Sequence, residues 1–248
     1  MKYIDKVILR QFRHHSRESL LPILFQKQKY GSGGWFKQRW YKMLLENMSN
    51  QALFTLIHDK DLWNGKESVS GPGSTFDATR NIRASLPGLL ERFSIRSVLD
   101  IPCGDFNWMQ HVDLIGVDYT GADLVETLIE VNNRKFASDK RRFLVLDLTK
   151  SALPQADLVL CRDALVHLDE GDIFRAFRNI KNSGTKYLLM TNFPDLRENI
   201  KLGPGYWRPI NFQLPPYNLP APLLSINEDE KDEGFQDKSM CLWKAQDL

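Results

Sequence analysis

Asp100, Asp123, Asp147 and Asp163 are four acidic residues that each end an apolar run or lie just past one. A carboxylate accepts hydrogen bonds only, so such residues suit ligands rich in hydroxyl and amino donors. In the run Ser97-Val98-Leu99-Asp100-Ile101-Pro102-Cys103-Gly104-Asp105, Gly104 permits a tight turn, and a helix starting after it would bring backbone N–H groups close to a ligand. Asp123 lies 19 residues beyond Gly104, where a carboxylate can accept hydrogen bonds from both hydroxyls of a ribose. Asp147, followed by Leu148, is placed to address the edge of an adenine. Arg162, Asp163 and His167 form a fourth group, and His167 or Asp163 would take the proton from a hydroxyl acceptor.

The elements that must position these residues are read from periodicity. Apolar runs at Ser97–Ile101, Tyr119–Leu124, Arg142–Leu148, Asp157–Cys161 and Lys186–Thr191 predict five strands. Helical patterns fall between them at Val125–Phe136 and Glu170–Lys181. This alternation predicts an α/β, Rossmann-like doubly wound sheet, mostly parallel, with Met240-Cys241-Leu242-Trp243 as an antiparallel final strand. In such sheets ligands bind beyond the carboxyl ends of the strands, which is where the acidic residues fall. A helix is expected from Ser74 or Thr75 to Leu90.

The 248 residues fit one substantial domain, taken as 63–248, with a basic helical extension at 1–62. The overall charge of +2 hides an asymmetry: residues 1–42 carry ten Lys and Arg against two acids, so the body is net acidic. A basic arm of this kind can rest on an anionic membrane or an envelope enzyme. The acidic body, without basic and aromatic residues interleaved, does not read as a nucleic-acid groove. Three cysteines without paired short spacing predict neither a disulfide framework nor a metal knuckle. With no apolar run of membrane-spanning length, the expectation is a reducing, cytoplasmic setting, with membrane contact at most peripheral.

The run Ser97–Trp108 resembles motif I of class I S-adenosylmethionine-dependent methyltransferases. That resemblance implies a loop of Asp100, Pro102, Cys103 and Gly104 around the methionine part of S-adenosyl-L-methionine. It further implies Asp123 at the ribose, Asp147 and Leu148 beside the adenine, and Arg162, Asp163 and His167 on the segment after the fourth strand. The departure from the family pattern is Pro102 and Phe106 where glycines are common, so the loop must accommodate a fixed φ and a bulky ring. A nicotinamide-dinucleotide fold fits worse, since its G-x-G-x-x-G is missing. Ser70-Gly71-Pro72-Gly73-Ser74, Trp207-Arg208-Pro209 and Asp237-Lys238-Ser239 also resemble a bacterial branch associated with surface polysaccharides. The implied reaction is O-methylation of a sugar or small anionic group of a glycan precursor, with Trp207 and Arg208 gripping the acceptor. The alternatives are a nucleic-acid methyltransferase and a non-catalytic cofactor-binding partner of envelope enzymes.

Overall fold

The computed structural model describes residues 48–63, 65–201, 207–232 and 234–248. Most of the basic segment read as an extension lies outside the described residues. Seven strands form one sheet in the order β3-β2-β1-β4-β5-β7-β6. They are β1 Ser97–Asp100, β2 Asp118–Asp123, β3 Arg141–Val145, β4 Leu158–Cys161, β5 Tyr187–Asn192, β6 Leu224–Asn227 and β7 Ser239–Lys244. The first five run parallel, and β7 is antiparallel to both β5 and β6. The helices are α1 Asn50–Asp59, α2 Arg80–Arg92, α3 Glu126–Phe136 and α4 Glu170–Asn182. This is the mostly parallel, doubly wound α/β sheet expected from the alternating pattern, with strand order reversing between β1 and β4.

Both faces of the sheet are buried, which is why its strands read as continuous apolar runs. Leu99, Val159, Leu188 and Met190 pack on one face with Ile173, Phe177 and Ile180 of α4. Their chain neighbours Val98, Leu158, Leu160 and Leu189 pack on the other face with Ile82, Leu86 and Leu90 of α2. No helix among the described residues is long and apolar enough to cross a membrane.

Several boundaries differ from the sequence expectation for identifiable reasons. β3 stops at Val145 rather than Leu148. The Asp147 carboxylate accepts hydrogen bonds from the Thr149 N–H (2.8 Å) and hydroxyl (2.6 Å), folding the chain into a turn there. The helix expected from Ser74 or Thr75 begins at Arg80, because Thr75 instead closes a separate turn through its hydroxyl and the Ala78 N–H. No α-helix follows β1, so no helix N-terminus supports the Gly104 loop; only a short helical turn at Met109–His111 interrupts the path to β2. Asp105 accepts a hydrogen bond from the Asn107 N–H, favouring a side-chain-closed turn over helix entry. Strand β6 had no local signal, lying just after a proline-rich stretch and defined by its pairing with β7.

Candidate functional site

A single cavity opens beyond the carboxyl ends of β1, β2, β3 and β4, and every sequence-singled residue of those strand ends lines it: Asp100, Pro102, Cys103, Gly104, Asp123, Asp147, Leu148, Arg162, Asp163 and His167. Trp207 and Arg208 do not line it. Trp207 packs edge-on against Phe193 and Phe235, at 5.7 and 5.0 Å between ring centroids. Arg208 is buried, with its backbone N–H donated to the Val166 carbonyl at 3.0 Å.

The loop after β1 accommodates its two unusual residues in opposite ways. Pro102 stays on the cavity wall, whereas Phe106, at φ 59°, turns its ring into the core against Tyr119, Phe136 and Phe143. Bulk at position 106 therefore fills the protein interior and leaves the cavity open. Gly104 has a φ of +55°, and a Cβ there would lie 2.2 Å from the Ser70 hydroxyl oxygen, so a larger residue would be strained and would displace that hydroxyl.

Two buried carboxyl groups face this loop. Asp100 accepts a hydrogen bond from the Tyr119 hydroxyl at 2.6 Å. Burial pushes its pKa up to about 7, opposed by that hydrogen bond, reinforced by the charge of Asp123 and reduced by Arg162. Asp123 accepts the Gly104 N–H at 3.1 Å on one oxygen and the Val125 N–H at 3.1 Å on the other. Burial raises it too, against the pull of those backbone donors and of His58. The Cys103 and Cys161 thiols are buried and raised by that burial, as expected of small core residues.

The segment after β4 is held by a buried network of charges. Arg162 donates from Nε and Nη2 to the two oxygens of Glu228, at 2.6 and 3.0 Å. Lys238 Nζ lies 2.6 Å from Asp163 Oδ2 and 3.1 Å from Glu228 Oε2, and Arg162 Nη1 lies 3.4 Å from Asp163 Oδ2. Asp163 has φ 52° and donates its N–H to the Thr191 hydroxyl at 2.8 Å. This clamp keeps the Asp163 carboxylate at the cavity wall while Lys238 and Glu228 remain behind it.

The roof comes from residues that sequence reasoning left without chemistry. α1 supplies Asn50, Phe54 and His58, and Trp63 follows it. Trp63 and His167 lie 5.7 Å apart between ring centroids, and Phe54 is 6.4 Å from each. The loop 67–75 is tied onto the β1 loop through Asp105, which accepts from the Ser68 hydroxyl at 2.9 Å and the Val69 N–H at 3.0 Å. Asn107 adds bonds to Glu67 and to the Ser74 carbonyl. The glycine- and serine-rich stretch at 68–74 was the one sequence signal for this roof; α1 had none, because its partners lie far along the chain.

The donor set suits S-adenosylmethionine. Asp123 retains lone pairs for hydroxyl donors after accepting its two backbone N–H groups. Leu124, Val125 and Leu148 provide apolar walls beside Asp147, as an adenine ring requires. Neither Asp100 nor Asp123 is in an ion pair among the described residues, so the cavity favours a ligand bearing positive charge.

Comparison with known proteins agrees with this geometry. Residues 98–184 match the family model described as a methyltransferase domain. Human N-acetylserotonin methyltransferase in complex with SAM is similar over 98% of this chain and 68% of its own, with 13% identity and a TM-score of 0.57. Magnesium protoporphyrin IX methyltransferase from Synechocystis PCC 6803, with bound SAM, covers 79% of this chain and 96% of its own at 11% identity and a TM-score of 0.54. An S-adenosylmethionine-dependent methyltransferase from Clostridium acetobutylicum ATCC 824 is 18% identical over 48% of this chain, with a TM-score of 0.41. The chain spans 53% of that protein's length. At these identities the likeness is one of fold. No curated protein matches the chain, and no comparison points to a surface-polysaccharide branch. Residues 98–184 accordingly match a methyltransferase domain, and the fold around them is like that of the S-adenosylmethionine-bound methyltransferases.

Proposed function

We propose that the chain methylates a hydroxyl on a small acceptor, a sugar or small anionic group of a surface-glycan precursor. The observation that carries the reading is His167 on the cavity wall after β4, packed against the rings of Trp63 and Phe54, whereas Asp123 and Asp147 belong to the ends of β2 and β3. An aromatic wall beside polar groups suits the apolar face of a sugar ring. This assigns the acceptor to Phe54, Trp63 and His167 rather than to Trp207 and Arg208, which lie outside the cavity wall. The glycan assignment itself rests on the sequence resemblance, and the basic residues within 1–42 support contact with an anionic membrane or envelope enzymes.

S-adenosylmethionine, when bound, supplies an activated methyl group on a sulfonium. Asp123 holds the ribose, the Asp100–Gly104 loop the methionine part, and Leu148 with Asp147 the adenine. Arg162 braces the segment from behind through Glu228. The Asp163 carboxylate, compensated by Lys238 and Arg162, accepts a hydrogen bond from the acceptor and orients it. His167 takes the hydroxyl proton, and the roof of α1 and loop 67–75 excludes water.

The test is to incubate the protein with methyl-labelled S-adenosylmethionine and separate polysaccharide, nucleotide-sugar and nucleic-acid fractions of an envelope extract. Label in a sugar fraction is expected, with His167→Ala lowering kcat by about 10²-fold or more and leaving cofactor affinity near wild type. Label confined to nucleic acid, or an unaltered rate in the variant, overturns the reading.

A further inference from the structure

The backbone donors of the loop after β1 are already engaged within the protein. Ile101 donates its N–H to the Leu160 carbonyl at 2.9 Å, Cys103 to the Ala122 carbonyl at 2.8 Å and Phe106 to the Cys103 carbonyl at 3.3 Å. Gly104 donates to Asp123 Oδ2 at 3.1 Å, Asp105 to the Ser70 hydroxyl oxygen at 3.3 Å and Asn107 to Asp105 Oδ1 at 3.2 Å. Pro102 has no N–H, and no α-helix begins after the loop to supply more. The loop assigned to the methionine part of the cofactor therefore has no backbone donor left for a carboxylate. Two further donors on the cavity wall are also committed: the Arg162 guanidinium to Glu228 and Asp163, and the Thr149 hydroxyl to Asp147.

Ser70 supplies the missing donor. It lines the cavity from the roof, and its Oγ is set so close to the loop that a Cβ on Gly104 would lie 2.2 Å from it. That oxygen accepts the Asp105 N–H, and its own proton has no acceptor among the described residues. A hydroxyl rotates freely to give that proton to an incoming acceptor. The nearby Asp105 carboxylate is occupied by the Ser68 hydroxyl and the Val69 and Asn107 N–H groups. Ser74 is the other hydroxyl of this loop on the cavity wall, but its carbonyl is tied to Asn107, three residues beyond Gly104.

The methionine end of S-adenosylmethionine carries an ammonium and a carboxylate. The ammonium has acceptors to choose from, with the Asp100 and Asp123 carboxyl groups on the cavity wall. The carboxylate needs donors, and at this loop they are scarce. We propose that Ser70 is a cofactor-binding residue whose hydroxyl donates to the carboxylate of the methionine part of S-adenosylmethionine. Bound cofactor then ties loop 67–75 more firmly to the loop after β1, and cofactor affinity depends on a residue outside the matched segment 98–184. The inference rests on the methyltransferase reading of the cavity.

Titration calorimetry on the full chain tests it, comparing S-adenosylmethionine with decarboxylated S-adenosylmethionine, which keeps the sulfonium and the amine and lacks only the carboxylate. Ser70→Ala removes a hydrogen bond to a charged group, so it should weaken S-adenosylmethionine relative to the decarboxylated ligand about 10-fold or more. Ser70→Thr keeps the hydroxyl and should retain the wild-type ratio between the two ligands. Ser70→Cys is close to serine in size and only a weak donor, and it reads the same loss of ratio if alanine unsettles the loop. Equal losses for the two ligands, or unchanged binding of S-adenosylmethionine in the alanine and cysteine variants, overturn the proposal alone. Failure of the wild-type chain to bind either ligand overturns the cofactor reading along with it.

Discussion

Asp100 is 2% exposed, and its carboxyl is protonated more readily in the folded chain, near pH 7, than at the ordinary value of 3.8 that applies when unfolded. The folded state therefore holds an extra proton between those two pH values, and raising the pH removes it at the expense of stability. Without cofactor, this group should make stability fall from about pH 4 to pH 7, by at most about 1.4 kcal/mol per unit, and level off above. Asp100→Asn keeps an oxygen for the Tyr119 hydroxyl and removes the charge. Its thermal unfolding midpoint should exceed that of the wild type at pH 8, with a shallower decline between pH 4 and 7. Parallel pH profiles for the two proteins would refute this. The importance of Asp100 and Asp123 was legible from their places at strand ends; their burial was not, because it depends on Tyr119, Gly104 and the roof meeting them.

Among the elements, the two loops that close on each other depend on Gly104. Alanine there must adopt a left-handed φ of +55° and set its Cβ 2.2 Å from the Ser70 oxygen. The strain of the backbone alone is about 1–2 kcal/mol, and the Ser70 hydroxyl must turn away, giving up the hydrogen bond it accepts from the Asp105 N–H. Gly104→Ala should lower the unfolding midpoint and weaken S-adenosylhomocysteine binding about 10-fold or more, read by differential scanning calorimetry and titration. Wild-type affinity in this variant would show that the cavity does not depend on the contact between the Ser70 hydroxyl and the loop after β1. The loop itself was evident in the sequence, but a helix was expected to follow it. Asp105 and Asn107 are occupied in turn and roof contacts instead, a competition that local propensity does not reveal.

For the whole molecule, the C-terminal strands complete the site from behind. Glu228, one residue past β6, and Lys238, one residue before β7, bring a buried anion and cation to Arg162 and Asp163 after β4. Removing one member leaves the others uncompensated, so Lys238→Met should cost about 3–5 kcal/mol in denaturant unfolding. Adding Glu228→Gln to that variant removes one of the orphaned charges and should recover part of the loss. A double variant no more stable than the single one would argue that the four charges do not act as one network.

Local pattern alone determined the five parallel strands, the final antiparallel strand, the helices after β2 and β4, and the acidic residues at the strand ends. Each is written in a window of a few residues as burial periodicity or turn chemistry. Tertiary structure alone decided that Phe106 faces the core, that β6 exists, that Lys238 clamps Asp163, and that α1 covers the cavity with Phe54 and His58. These depend on contacts between segments as much as 122 residues apart, as in the bond from Asn50 to Asp172. Burial and partner choice at that range are set by the packed sheet, and no short stretch of sequence contains them.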